Sequence, residues 1–91
     1  MPIVALFESQ LTPELYDAIL QGLADRGLSA PDGRMHHVAW QSAEGWNVLD
    51  VWESEDKLGA FAQVLMPLID ELGTSVPPPK VFPSYNIIEG S

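Results

Sequence analysis

His36 and His37 are the only imidazoles in this chain, and they lie next to each other in the apolar segment Met35–Gln41 (MHHVAWQ). Adjacent side chains on a strand point to opposite faces, so the two cannot share one metal ion, and one of them must face the same way as Asp50. Asp50 is the single charge inside the next apolar run, Trp46–Trp52 (WNVLDVW). With Ser42–Gly45 as the loop between the two runs, Gln41 opposes Trp46, and counting back sets His37 opposite Asp50. A carboxylate beside an imidazole fixes its tautomer and suits it to act as a general base. The same two residues also read as a structural buried pair or as two groups at a wet rim, and the sequence leaves these readings side by side.

Other residues offer chemistry or walls for it. Tyr85, near the end of the chain, can donate a phenolic proton, or can sit on an edge strand at an interface. Trp40 and Trp52 can line a site for a planar ligand, with Phe61 and Leu65 contributed by the helix that follows; as large aromatics in a small core they can equally be packing. Asp70 and Glu71 follow an apolar stripe and read as solvated charges. There is no cysteine, which excludes disulfides, thiolate metal sites and a cysteine nucleophile. No glycine-rich phosphate loop, serine-nucleophile motif or metal-ligand spacing occurs, so no metal and no cofactor are expected.

These residues need elements to hold them. Ninety-one residues make one domain, 1–91, with a modest core. Pro2–Glu8 (PIVALFE) reads as a first strand. Thr12-Pro13-Glu14 starts a helix with an N-cap, a proline at its first position and an acid in its first turn, and Leu15, Ile19 and Leu23 give it one apolar stripe. Gly27 stops it after Arg26. Pro31-Asp32-Gly33 is a turn, Met35–Gln41 a second strand, and Trp46–Trp52 a third. Ser54 caps a second helix, whose Leu58, Phe61, Leu65, Leu68 and Leu72 recur at three and four; Pro67 inside it predicts a kink. After the stiff Val76-Pro77-Pro78-Pro79 linker, Val81–Glu89 (VFPSYNIIE) is a fourth strand, with Pro83 implying an edge or a bulge. The order βαββαβ predicts an α+β, ferredoxin-like fold: a four-stranded antiparallel sheet with two helices on one face.

A sheet with one wet face alternates apolar and polar residues. Here Trp46, Val48 and Trp52 face one way and Leu49 and Val51 the other, while Ile3, Ala5 and Phe7 back onto Val4 and Leu6. Two helices cover only one face, so the other calls for a second copy, and a homodimer through sheet-to-sheet packing is expected. Charge narrows the other partners. Thirteen acids against four bases (Arg26, Arg34, Lys57 and Lys80) give a net charge of −9, which disfavours nucleic acid and anionic membranes. An anionic substrate would need a local exception, and only Arg34 sits near the candidate residues. Met1–Glu8 lacks a basic leader region and no apolar run is long enough to span a bilayer, so a cytoplasmic location is expected.

The opening MPIVALFES, HVAW before a hairpin, GWNVLDVWESED running into the second helix and the closing VFPSYNII together resemble the dimeric α/β-barrel superfamily. Within it the chain is similar to small stand-alone members related to the antibiotic-biosynthesis monooxygenases. The resemblance covers nearly the whole length and implies two sheets forming a barrel, with a pocket between sheet and helices in each subunit. Such members include cofactor-free oxygenases, haem-degrading oxygenases and isomerases. The haem-degrading pattern is missing: the first strand has no Asn, the comparable helix position is Phe61, and the second helix has no His. The Asn–Trp pair and nearby Tyr of the cofactor-free oxygenases have counterparts in type, in Asn47, Trp46 or Trp52, and Tyr85. The expectation is a small-molecule pocket protein acting on an apolar aromatic or polyketide-like compound by acid–base chemistry, as a cofactor-independent monooxygenase, cyclase or isomerase. His37 would be the base, Asp50 its orienting group, and Trp52 a wall. The alternative is a non-catalytic ligand-binding or assembly protein of the same fold. The two separate by whether His37, Asp50 and Tyr85 converge on one cavity or are paired off elsewhere.

Overall fold

The computed structural model describes residues 2–88. Its elements run β1 (Ile3–Ser9), α1 (Pro13–Asp25), β2 (Arg34–Ser42), β3 (Gly45–Trp52), α2 (Glu55–Glu71) and β4 (Lys80–Pro83). The strands pair antiparallel in the order β2-β3-β1-β4. This is the α+β, ferredoxin-like arrangement. Each helix starts where a side chain can accept a free N–H of its first turn. Thr12 Oγ1 accepts from the Leu15 N–H at 3.2 Å, and Ser54 Oγ accepts from that of Lys57 at 3.2 Å. α2 continues through Pro67 to Glu71.

One face of the sheet packs on the helices. Ile3, Ala5 and Trp52 meet Ile19 and Leu23 of α1 and Leu58, Phe61, Leu68 and Ile69 of α2 in the buried core, and Trp52 is buried completely. The helices cross closely at Gly22, where an added Cβ would lie 2.7 Å from a methyl of Leu68. On the other face the pairs Val4–Val51, Leu6–Leu49, Leu49–Val38 and Val4–Phe82 make a continuous apolar surface. It is uncovered within the chain: Val38 is 53% exposed, Phe82 50% and Trp40 42%.

Three details depart from the sequence reading. The β2–β3 connection is only Ala43-Glu44, because Ser42 pairs with Gly45 and extends both strands; the expected register is unchanged, with Gln41 opposite Trp46 and His37 opposite Asp50. The last strand is four residues long instead of running on through Val81–Glu89. Pro83 is its last paired residue, and the Ser84 N–H and hydroxyl both turn onto the Pro2 carbonyl at 3.1 and 2.8 Å. β4 is nonetheless an edge strand, as its proline requires. Glu89 lies outside the described residues. The third detail is a bulge in β2: Arg34 pairs with Trp52 and His36 with Val51, leaving Met35 as an extra residue.

Candidate functional site

Alternation along β3 puts Trp46, Val48, Asp50 and Trp52 on the helix-covered face, and the register brings His37 of β2 beside Asp50. Asp50 is 3% exposed, a position where a carboxylate is tolerated only with donors on its oxygens. Both oxygens have one. His37 Nδ1 lies 2.6 Å from Oδ1, and the Trp52 indole N–H donates to Oδ2 at 3.3 Å. An ionised carboxylate can only accept, so this pairing assigns the imidazole proton to Nδ1 and leaves Nε2 as a lone pair. The Tyr16 hydroxyl of α1 meets that lone pair and donates to it at 2.6 Å. The two rings lie within 7° of parallel with centroids 6.1 Å apart, and Trp46 packs against the Tyr16 ring at 5.0 Å. The result is a chain of proton donors and acceptors running Tyr16–His37–Asp50–Trp52.

The first three of these residues border a cavity of about 70 Å³ between sheet and helices. Phe7, Val48, Phe61 and Leu65 supply apolar walls, and Arg34 and Ser9 are the other polar residues on it. Ser9 donates its hydroxyl to the Trp46 carbonyl at 3.2 Å. Beside the cavity, Tyr16, Leu20, Leu23, Arg34 and His37 also border an outer groove of about 450 Å³ that reaches Asp17 and Ser29. The cavity is about half the ~150 Å³ that suits benzene in an apolar protein interior. A fused-ring polyketide therefore exceeds it as closed, and a larger ligand has to extend into the groove. Burial pushes the Tyr16 phenol above its ordinary 10.0; the Arg34 guanidinium offsets part of this, and Asp50 and Asp17 add to the rise. Tyr16 thus stays protonated at neutral pH and keeps its O–H on Nε2.

Of the residues singled out in the sequence, His37, Asp50, Phe61 and Leu65 come together at this cavity. Trp52 lies in the core, packed on Phe61 at 5.2 Å, and meets the site through its N–H on Asp50. Trp40 is on the opposite face of the sheet. Tyr85 follows β4 and is fully exposed, so the structure does not bring it to His37; the phenol found there belongs to Tyr16. The signal for Tyr16 was its spacing: with Ile19, Leu20 and Leu23 it occupies i, i+3, i+4 and i+7 of α1, the stripe that faces the sheet. Among the described residues no three His, Asp or Glu side chains gather as metal ligands. The Trp46 indole N–H is buried without a hydrogen-bond partner among them, and nothing in the structure explains it.

No protein-family model matches the chain, and no curated protein sequence matches it. Solved structures do. A Chloroflexus aurantiacus protein provisionally named an antibiotic biosynthesis monooxygenase superposes with a TM-score of 0.62 at 14% identity, over 100% of this chain and 98% of its own. Rv0793 from Mycobacterium tuberculosis gives 0.61 at 17% identity, over 100% of both chains. A Deinococcus radiodurans protein with the same provisional name gives 0.54 at 16%, over 100% and 99%. At such identities the likeness is one of fold: the chain has the small stand-alone ferredoxin-like fold of these structures, two of which carry that provisional name.

Proposed function

We propose that this protein binds a small apolar molecule between sheet and helices and moves a proton on it through Tyr16 and His37, working as a homodimer joined through the outer sheet faces. The observation that carries the reading is the Tyr16–His37–Asp50 chain, two contacts of 2.6 Å opening on an apolar cavity. A ligand X–H gives its proton to the Tyr16 oxygen as the Tyr16 proton passes to Nε2 of His37. The products are a ligand anion, a neutral tyrosine and an imidazolium held against the Asp50 carboxylate. Reprotonation elsewhere on the ligand makes an isomerase or cyclase; addition of dioxygen to the anion gives a peroxide that takes the proton back from His37 and loses water, leaving a carbonyl on the ligand, which is cofactor-independent monooxygenation. The fold neighbours provisionally named monooxygenases favour the second.

The test is turnover, since stability does not discriminate. Removing His37 outright strips a buried carboxylate of its partner and costs roughly 3–5 kcal/mol whether or not the pair does chemistry. His37→Gln keeps an N–H donor for Asp50 and removes the base. Oxygen uptake is followed with monocyclic quinols, and deuterium uptake from solvent with small enolisable ketones. Wild type turns over in one of the two assays, and His37→Gln and Tyr16→Phe each lose about 10²–10⁴-fold. Variants as active as wild type overturn the assignment. Binding with no turnover leaves the second reading, a ligand carrier, which the largely apolar lining and the mutually paired polar groups favour.

A further inference from the structure

The four bases of this acidic chain have different surroundings. Arg26 pairs with Glu71 at 3.2 Å, Lys57 with Asp32, and Lys80 with Glu8 at 2.9 Å. Among the described residues Arg34 alone has no carboxylate at ion-pair distance; one N–H of its fork goes to the Ser29 carbonyl at 3.1 Å. Its position is equally specific. In a regular strand Arg34 would share a face with His36 and Val38, on the outer side of the sheet. The extra residue Met35 shifts it by one, into register with Trp52 on the helix side. Bulges commonly re-aim a side chain in this way beside a site. Arg34 consequently borders both the cavity and the outer groove, alongside Tyr16 and His37.

We infer that Arg34 is an anion-recognition residue where cavity and groove adjoin, and that the ligand is a small apolar acid with its tail in the cavity and its carboxylate on the guanidinium. The inference deepens the pocket reading above and rests on it. The rest of the planar donor fork suits a carboxylate, and in a half-buried setting a charge-assisted pair is stronger than one in water. Asp17 on the groove repels the same group and so sets which way the ligand enters. With a net charge of −9 the protein as a whole does not attract anions, so selection has to come from this one contact.

Butanoate and its neutral isostere butanamide test it, titrated into the full chain and followed by ¹H–¹⁵N NMR. Butanoate is expected to shift amides around Tyr16, Arg34 and His37 and to bind about tenfold tighter than butanamide. Arg34→Gln brings the ratio close to one without weakening butanamide; Arg34→Lys, which keeps the charge, retains part of it; and Arg26→Gln, a base on the far side of its own ion pair, leaves it unchanged. The wild-type comparison needs no variant to fold. Equal affinities in wild type overturn the inference and leave the pocket reading standing. No shift at the cavity with either probe overturns both. Preference for butanoate in a protein that turns over no substrate upholds the inference while the acid–base reading fails.

Discussion

At the scale of single residues, the Tyr16 phenol is the group whose titration reports on the site. In the unfolded chain it ionises near its ordinary 10.0; in the fold burial raises it, Arg34 pulls part of the way back, and Asp50 and Asp17 push up. The folded state therefore keeps this proton to higher pH than the unfolded one. The stability it contributes is complete below about pH 10 and is lost as pH rises through the folded value. A phenolate absorbance titration should show a step above pH 10 that Tyr16→Phe removes and that Arg34→Gln moves higher still; a Tyr16 step at or below pH 10 would contradict the buried geometry. What the sequence disclosed at this scale was the local part. His37 opposite Asp50 follows from strand alternation and a short hairpin, both fixed within the fourteen residues from His37 to Asp50. The partner of Nε2 was hidden, because which residue of α1 reaches a given point of β2 depends on how the helix lies across the sheet. Tyr85 had the right chemistry and the wrong place: the strand meant to carry it stops at Pro83.

Elements hold these contacts only if their ends and irregularities are right. Gly45 opens β3 with φ +145°, and a Cβ there would lie 2.4 Å from the Ser9 carbonyl oxygen. Gly45→Ala meets both a disfavoured backbone conformation and a clash with backbone that cannot rotate away. We expect a loss of about 1–3 kcal/mol in urea unfolding, against a few tenths for a substitution at exposed Glu44; a neutral Gly45→Ala would mean that the hairpin relaxes at little cost. Element order, both helix caps and the apolar stripes were readable, since capping and periodicity are written in neighbouring residues. The bulge was not. Nothing in the residues Arg34-Met35-His36-His37 announces an extra residue, so the sequence started the strand at Met35 and left Arg34 in the turn before it. That one irregularity separates an arginine on the outer face from an arginine at the cavity.

Over the whole molecule, the largest unsatisfied feature is the outer sheet face, apolar across all four strands. A contiguous surface of this kind is what the proposed homodimer would bury. Light scattering at micromolar concentration should give twice the chain mass. Val38→Glu sets a carboxylate opposite Leu49 near the middle of the face and, by two-fold symmetry, sets it twice. A buried unpaired charge of that kind should weaken the dimer by about 100-fold or more, while a wild-type monomer would refute the pairing outright. Both-faced strands made the apolar outer face legible from sequence; how a partner would sit on it was not, because that belongs to two chains. The three tryptophans have separate surroundings: Trp40 on the outer face, and on the helix-covered face Trp46 against Tyr16 and Trp52 sealed in the core. The chain therefore carries three built-in fluorophores. Trp40→Phe touches neither the site nor the core, so the emission it removes should follow the proposed pairing, while the emission that remains should report on the surroundings of Trp46 and Trp52.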